Sequence, residues 1–321
     1  MNSVILLLGY MGISIIGIAS YFLGVFHHFG LISLLNQLVN TYTPSQWQVF
    51  RLPRWVRNFL ALCYHAVVLG CHMIAIHDVL PYIEQDKTSS SINMAALMYH
   101  MWLIHTLFYL MCVLTDPGII TPSNCKSLCR IYKYDGVLYA PSAVCSTCNN
   151  AKPPRSKHCS VCNKCVHRFD HHCMWINCCI GAFNYRHFIG ILVTGIIMCC
   201  NGLLITLRFF NTIYQTRKLY AYKYIDSYGQ KQPLSGIVLA QYQFYHFPRP
   251  FLLACTLLLL AGLLIVFTAY HLLLISKNKT TNEVYKLEKA EVSQRLKSEG
   301  YYNRGILSNI LEVVAPPSSA V

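Results

Sequence analysis

The chain has 321 residues, of which 55% are hydrophobic and only 12% charged, a balance too apolar for a water-soluble fold of this length. Its formal net charge of +14 invites a nucleic-acid reading, but the basic residues are scattered between apolar runs and a cysteine-rich loop and gather on no single soluble face. Nucleic acid is therefore not expected as a partner, whereas a lipid bilayer and ligand phosphates are.

Five apolar stretches follow in chain order, at residues 4 to 25, 59 to 80, 94 to 114, 188 to 212 and 251 to 275. At roughly 1.5 Å of rise per residue, each is long enough as a helix to cross about 30 Å of hydrocarbon. The expected fold class is an all-α polytopic membrane protein with five transmembrane helices and a cytosolic zinc-binding, cysteine-rich domain between the third and fourth. The expected division is 1 to 115 for the first membrane region, 116 to 187 for the cysteine-rich domain, 188 to 275 for the second membrane region and 276 to 321 for a cytosolic tail. Only Met1, Asn2 and Ser3 precede the first stretch, with no basic residue among them, so it reads as a retained anchor and not as a cleaved signal peptide. His65, His72, His77, His100 and His105 fall in the second and third stretches. Intramembrane ionisable groups are candidates for function, although His77 and His100 lie near span ends.

The insert opens on Asp116-Pro117-Gly118, a turn signal where a helix leaves the membrane. It continues as Cys145-x2-Cys148-x9-His158-Cys159-x2-Cys162-x2-Cys165-x4-Asp170-His171-His172-Cys173-x5-Cys179. Paired Cys-x2-Cys knuckles with interleaved histidines are zinc chemistry, because the ion takes four thiolate or imidazole ligands in a tetrahedron. Thiolates need a reducing compartment, so the insert is expected in the cytosol, with residues 26 to 58 on the same side and 81 to 93 and 213 to 250 on the other. Arg51, Arg54 and Arg57 agree with that orientation, as do Glu84 and Asp86, whereas Arg217, Lys218, Lys223, Lys231 and Arg249 count against it.

Seven cysteines at 145, 148, 159, 162, 165, 173 and 179, with three histidines, exceed what two four-coordinate sites can use. Side chains alternate along an extended segment, so His172 can turn to a metal while His171 and Cys173 share the opposite side. Cys173 is then the candidate nucleophile, with His171 as the group that takes its proton and Asp170 as the group that orients the ring.

These residues resemble the DHHC-type zinc-finger protein S-palmitoyltransferases, through Asp170-His171-His172-Cys173 and the surrounding cysteine spacing. Asn184 and Phe188 after Cys179, Asp116-Pro117-Gly118, Thr280-Thr281-Asn282-Glu283, and Asn303, Gly305 and Asn309 in the tail match further motifs of that family. Within it, Gly118-Ile119-Ile120-Thr121 and the extra leading span are most similar to the fourth human subgroup, which is associated with the endoplasmic reticulum; the Golgi and plasma membrane are the alternatives. The resemblance implies an enzyme that moves a fatty acyl group from palmitoyl-CoA through a Cys173 acyl-enzyme to membrane-proximal cysteines of substrate proteins. It implies two structural zinc ions, one held by Cys145, Cys148, His158 and Cys165 and the other by Cys159, Cys162, His172 and Cys179; Cys178 abuts Cys179 and could replace it as a ligand, but the family spacing favours Cys179, and Cys178 reads as a packing or secondarily acylated residue. It further implies that Lys152, Arg155 and Lys157 meet the CoA phosphates, and that Thr280, Thr281 and Asn309 support the site.

Cys125 and Cys129 could bind metal, carry an acyl group or simply pack. Residues 306 to 314 are weakly amphipathic, suited to a membrane-surface helix or to one packed on the protein. Asn278-Lys279-Thr280 is a glycosylation sequon that a cytosolic tail leaves unmodified. Two rival functions are a zinc-structured adaptor without catalysis and a transporter using the intramembrane histidines.

Overall fold

The computed structural model describes residues 54–84, 89–234, 236–293, 298 and 300–317; the stretch from 4 to 25 lies outside them. Helix α1 runs over Arg54–Ile74, passes through a π turn at Ala75–Val79 and continues as Leu80–Glu84. Helix α2 is Ser89–Leu114, α4 is Tyr185–Thr216 and α6 is Pro248–Ser276. Among the described residues, four helical segments are long and apolar enough to cross a membrane: Ala61–Ile83, Ala96–Leu114, Tyr185–Thr216 and Pro248–Ser276. The last two extend beyond the predicted apolar cores at both ends, because hydropathy marks the hydrocarbon-facing stretch while the backbone hydrogen-bond ladder continues past it.

The exposed surface of these helices is apolar. Leu62, Leu69, Leu103, Leu114, Leu204, Leu258 and Leu273 are each more than half exposed, an arrangement that suits hydrocarbon and opposes water. The bundle interior holds Val79, Ile205, Phe209, Phe210, Leu253, Leu257 and Ala261. Close helix approach depends on small residues: a Cβ at Gly190 would stand 2.3 Å from the ring of Phe108.

Between α2 and α4 the chain forms the short helix α3 (Cys125–Leu128) and two antiparallel hairpins, β1 (Lys157–Cys159) with β2 (Lys164–Val166) and β3 (His171–Cys173) with β4 (Cys178–Ile180). Asp116 Oδ1 accepts from the Gly118 and Ile119 amides at 2.8 and 2.7 Å, folding the exit from α2 into a tight turn. Gly181 closes the loop against that turn, since a Cβ there would lie 2.4 Å from the Pro117 carbonyl oxygen. Asn184 then ties three elements together: its Oδ1 accepts from Gly181, and its Nδ2 donates to the carbonyls of Cys112 and Cys179. Cys125 and Cys129 pack in a small core with Ile120, Leu128, Cys145 and Cys165.

Between α4 and α6 lie the hairpin β5 (Lys223–Ile225) with β6 (Lys231–Pro233) and the helix α5 (Gly236–His246). The tail folds back as α7 (Thr281–Lys289) and α8 (Ile306–Val314). A capping box starts α7, in which Thr280 accepts from the Glu283 amide and Glu283 accepts from the Thr280 amide, an arrangement of roughly 1 kcal/mol. Helix α8 buries Asn309, Glu312 and Val313 and exposes Ile306, Leu307, Ile310, Leu311 and Val314. It packs its polar side on the protein and turns its apolar side outward. Asn309 Nδ2 donates to the carbonyl of Ser276 at 2.8 Å and so caps the end of α6.

Three of the span histidines serve their own helices. His65, His72 and His100 each bring Nδ1 to the carbonyl four residues earlier. His105 instead bridges helices, with Nδ1 at 2.8 Å from Thr194 Oγ1 and Nε2 on the Tyr64 hydroxyl.

Candidate active site and metal clusters

The two hairpins share one construction. In β1–β2, His158 stands directly opposite Cys165, and in β3–β4, His172 stands directly opposite Cys179. Directly opposed residues of an antiparallel pair project to the same side, so each hairpin offers a histidine and a cysteine as half of a tetrahedron. The other half is a Cys-x2-Cys knuckle: Cys145 and Cys148 for the first hairpin, Cys159 and Cys162 for the second. Asn149 and Asn163, each following a knuckle, adopt positive φ angles of 51° and 55°, a conformation asparagine tolerates better than most residues.

The sequence-implied ligand sets therefore come together as two groups: Cys145, Cys148, His158 and Cys165, and Cys159, Cys162, His172 and Cys179, with ligand atoms of each group within 4.8 Å of one another. In the first, His158 Nδ1 lies 3.4 Å from Cys148 Sγ and 3.7 Å from Cys165 Sγ. In the second, His172 Nδ1 lies 3.8, 3.4 and 3.6 Å from the sulfurs of Cys159, Cys162 and Cys179. Zinc bond lengths set the edges of a tetrahedron at about 3.5 to 3.8 Å, so both donor sets fit the ion in dimension and in chemistry. Crowding points the same way. Hydrogen bonds from Cys162 and Cys179 hold Cys159 far below its ordinary value, while Cys159 and Cys162 push Cys179 far above its own; a central dication removes that conflict. Cys178 is not in either group among the described residues.

Alternation along β3 then separates the two jobs. His172 and Cys179 face the metal cluster, so His171 and Cys173 lie on the other side of the hairpin. His171 Nδ1 donates to Asp170 Oδ2 at 2.7 Å. Its Nε2 is buried without a conventional hydrogen-bond partner among the described residues, and the Cys173 sulfur is its electrostatic neighbour. Burial opposes a charge on this ring, but the Asp170 hydrogen bond and Cys173 outweigh it and push His171 up to about 10. Asp170 is held down to about 2 against its own burial by His171 and Thr281.

The tail supplies that second contact. The Thr281 amide and hydroxyl both donate to Asp170, each at 2.9 Å. Phe188 stands edge-on to His171 with centroids 5.1 Å apart, and His271 on α6 lies 6.0 Å from His171 while bonded to the Tyr185 hydroxyl at 2.9 Å. Asp170, Phe188 and His271 thus surround the His171 ring, and Thr281 holds Asp170.

Arg155 takes a different place from the phosphate-facing one expected of it. It is fully buried, its Nε and Nη2 grip Glu283 at 2.7 and 2.8 Å, and Asn278 and Glu312 occupy its Nη1. Arg168 joins the same network through Asn278 and Glu312, and Arg304 and Tyr132 complete the shell around Glu312. A guanidinium removed from water needs such a set of fixed acceptors, so Arg155 locks the tail to the insert. Lys157 is exposed and Lys152 half-buried. The cation that joins their field is Lys286, which stands over the Tyr139 ring at 4.3 Å and which both lysines disfavour electrostatically.

Sequence reading missed Asn278, Glu312, Arg168, His271 and Lys286. Their partners lie as far as 180 residues away in the chain, and no local spacing encodes such pairs. Asn278 also gives the sequon a physical account. Its side-chain amide, 1% exposed with the residue, donates to Tyr302 O and Glu312 Oε2 and is not available for a glycan in the folded chain.

The DHHC palmitoyltransferase family model matches residues 139–288. Palmitoyltransferase ZDHHC4 of Bos taurus is 30% identical, with 99% of this chain and 98% of the relative covered. The chain belongs to the DHHC palmitoyltransferase family. The ZDHHC4 of Mus musculus is 37% identical over 79% of this chain and 69% of the relative, and Palmitoyltransferase SWF1 of Candida albicans is 31% identical over 81% and 68%. The protein is thus an integral-membrane protein S-palmitoyltransferase with a cysteine-rich zinc-binding region, similar to ZDHHC4.

Proposed function

We propose that this palmitoyltransferase uses palmitoyl-CoA as its donor and Cys173 as its nucleophile, at the cytosolic face of the membrane. The observation that carries the reading is a cysteine outside both metal clusters, beside an imidazole that Asp170 holds by a 2.7 Å hydrogen bond. In the first step the Cys173 sulfur attacks the thioester carbonyl, and His171 gives its proton to the departing CoA sulfur. In the second, His171 takes the proton of a substrate cysteine, whose sulfur attacks the acyl-enzyme carbonyl; the bond to Cys173 breaks, and the proton on His171 passes to the freed Cys173 sulfur. Asp170, oriented by Thr281, fixes the ring so that Nε2 serves both steps.

The zinc ions would be held by Cys145, Cys148, His158 and Cys165 and by Cys159, Cys162, His172 and Cys179. They would supply rigidity alone, because four protein ligands fill each tetrahedron. Lys152 and Lys157, joined by Lys286, are assigned to the CoA phosphates, for which clustered cations are suited; Arg155 is assigned to the tail lock. The acyl chain gains about 0.8 kcal/mol per buried methylene, which explains why the thiol sits at the end of a membrane bundle. A cytosolic insert is supported by the reducing conditions its thiolates require. The endoplasmic reticulum follows the family subgroup the chain resembles, and the acceptors are proteins with membrane-proximal cysteines.

The test is incorporation of a labelled fatty acid from its CoA ester into the purified protein. Wild type takes up label and Cys173→Ser does not, with zinc content unchanged; normal labelling of Cys173→Ser removes Cys173 as the nucleophile.

A further inference from the structure

The face of β3–β4 that carries Cys173 carries a second thiol. Cys178 stands directly opposite Cys173 in the hairpin register, and opposed residues of an antiparallel pair place their Cβ atoms about 4.5 to 5.5 Å apart on one side. The same alternation that sends His172 and Cys179 to the metal sends Cys178 to the catalytic face, although Cys178 and Cys179 are adjacent in sequence. Cys178 is half-buried, so part of its side chain reaches the surface. Its other neighbours are the thiol of Cys112, in the last turn of α2, and His171. Cys112 itself is fully buried and directed at the Asn184 carbonyl. Close by, at the end of α2, Leu114 is 79% exposed on the apolar surface of the bundle.

We propose that Cys178 is a second S-acylation site, loaded from Cys173 by thioester exchange across the hairpin. This rests on the Cys173 acyl-enzyme described above. The Cys178 sulfur attacks the carbonyl carbon of the Cys173 thioester. A new carbon–sulfur bond to Cys178 forms, the bond to Cys173 breaks, and the proton lost by Cys178 passes through His171 to the Cys173 sulfur. One thioester replaces another, so no oxidant, nucleotide or metal is consumed. Exchange of this kind needs only that the attacking sulfur reach the carbonyl, and the effective concentration of a fixed cross-strand neighbour is far above that of any diffusing thiol. The transfer leaves Cys173 free for a second donor, so one chain would carry two acyl groups. A fatty chain on Cys178 starts beside the lipid-facing end of α2 and has hydrocarbon to enter.

The experiment uses the full-length protein in detergent with palmitoyl-CoA. The reaction is quenched over time, free thiols are alkylated, and chymotryptic cleavage after Trp175 separates the two cysteines for mass spectrometry. The wild type is expected to show acyl on Cys173 first and on Cys178 later, reaching two per chain. Cys178→Ser and Cys178→Ala should stop at one, on Cys173, and Cys173→Ser should carry none at either position, all with two zinc ions per chain by elemental analysis. Acyl on Cys173 that never reaches Cys178 overturns this proposal alone, as does recovery of the pair as a disulfide in place of the second thioester. Loading of Cys178 at an unchanged rate in Cys173→Ser overturns the transfer route. Failure of Cys173 itself to load removes the underlying acyl-enzyme and the proposal with it.

Discussion

The two zinc hairpins are built alike and differ in what they carry on the reverse side. Behind the His158–Cys165 pair, β1–β2 presents Cys159 opposite Lys164, and so passes a ligand on to the second cluster. Behind the His172–Cys179 pair, β3–β4 presents His171, Cys173 and Cys178. Metal on one face of a two-stranded hairpin gives rigidity that three-residue strands lack by themselves. On the proposed reading, metal would make the scaffold in both hairpins, and the residues on the opposite face would decide which scaffold does chemistry.

The largest effect that can break this comparison is loss of the proposed nucleophile. Cys173→Ser should reduce palmitoyl transfer to below roughly one-thousandth of wild type in a purified assay while leaving two zinc ions bound; loss of metal in this variant would mean the two faces are not separate. Next comes loss of one ligand from each hairpin. Structural zinc contributes about 10 kcal/mol or more to small metal-folded units, so His172→Ala and His158→Ala should each lower the zinc content by elemental analysis and lower thermal stability. His172→Ala should also abolish acylation, because its hairpin is the one that sets Cys173. Equal acylation in the two variants, with metal lost from both, would erase the distinction.

A smaller effect concerns the lock that holds the tail against the insert. Glu283→Gln takes from buried Arg155 the nearer of its two carboxylates, leaving Glu312 at 3.3 Å, and replaces one of the two Glu283 oxygens that accept from it, at a cost of roughly 3 kcal/mol. Thermal unfolding in detergent should fall by several degrees, and limited proteolysis should cut the tail first. The smallest effect is pH-dependent. Glu312 is held below its ordinary value, with burial opposed by Arg168, Tyr132 and Arg155. A carboxylate depressed in this way stabilises the fold above its unfolded value and loses that contribution as pH falls through the depressed value. The gap in melting temperature between wild type and Glu312→Gln should therefore be full at neutral pH and narrow on acidification below the ordinary carboxylate range. A gap that widens in acid would contradict the assignment.

Much of this site is legible in the chain because its ligands are local. Each knuckle spans four residues and each cross-strand pair is joined by a short turn, so spacing alone marks Cys145 to Cys179 as metal chemistry with a thiol to spare. Hydropathy likewise marks the membrane helices, since hydrocarbon imposes a length and a composition. The tail lock is not legible in the same way. Arg155 looks like one more cation in a basic run, and only its burial against Glu283, 128 residues onward, reveals a structural role. Glu312 sits in a run whose apolar pattern advertises a surface helix, yet its polar side is the buried one. Long-range polar pairs leave no period in a sequence, so residues of that kind come to light through packing.

The measurement that bears most directly on the division of faces is native mass spectrometry of the intact enzyme after exposure to palmitoyl-CoA. The expected species carries acyl and two zinc ions on the same chain, because the acylated sulfur belongs to no metal cluster. Acylated chains that have always lost a zinc ion would place the reacting thiol among the ligands and contradict the account.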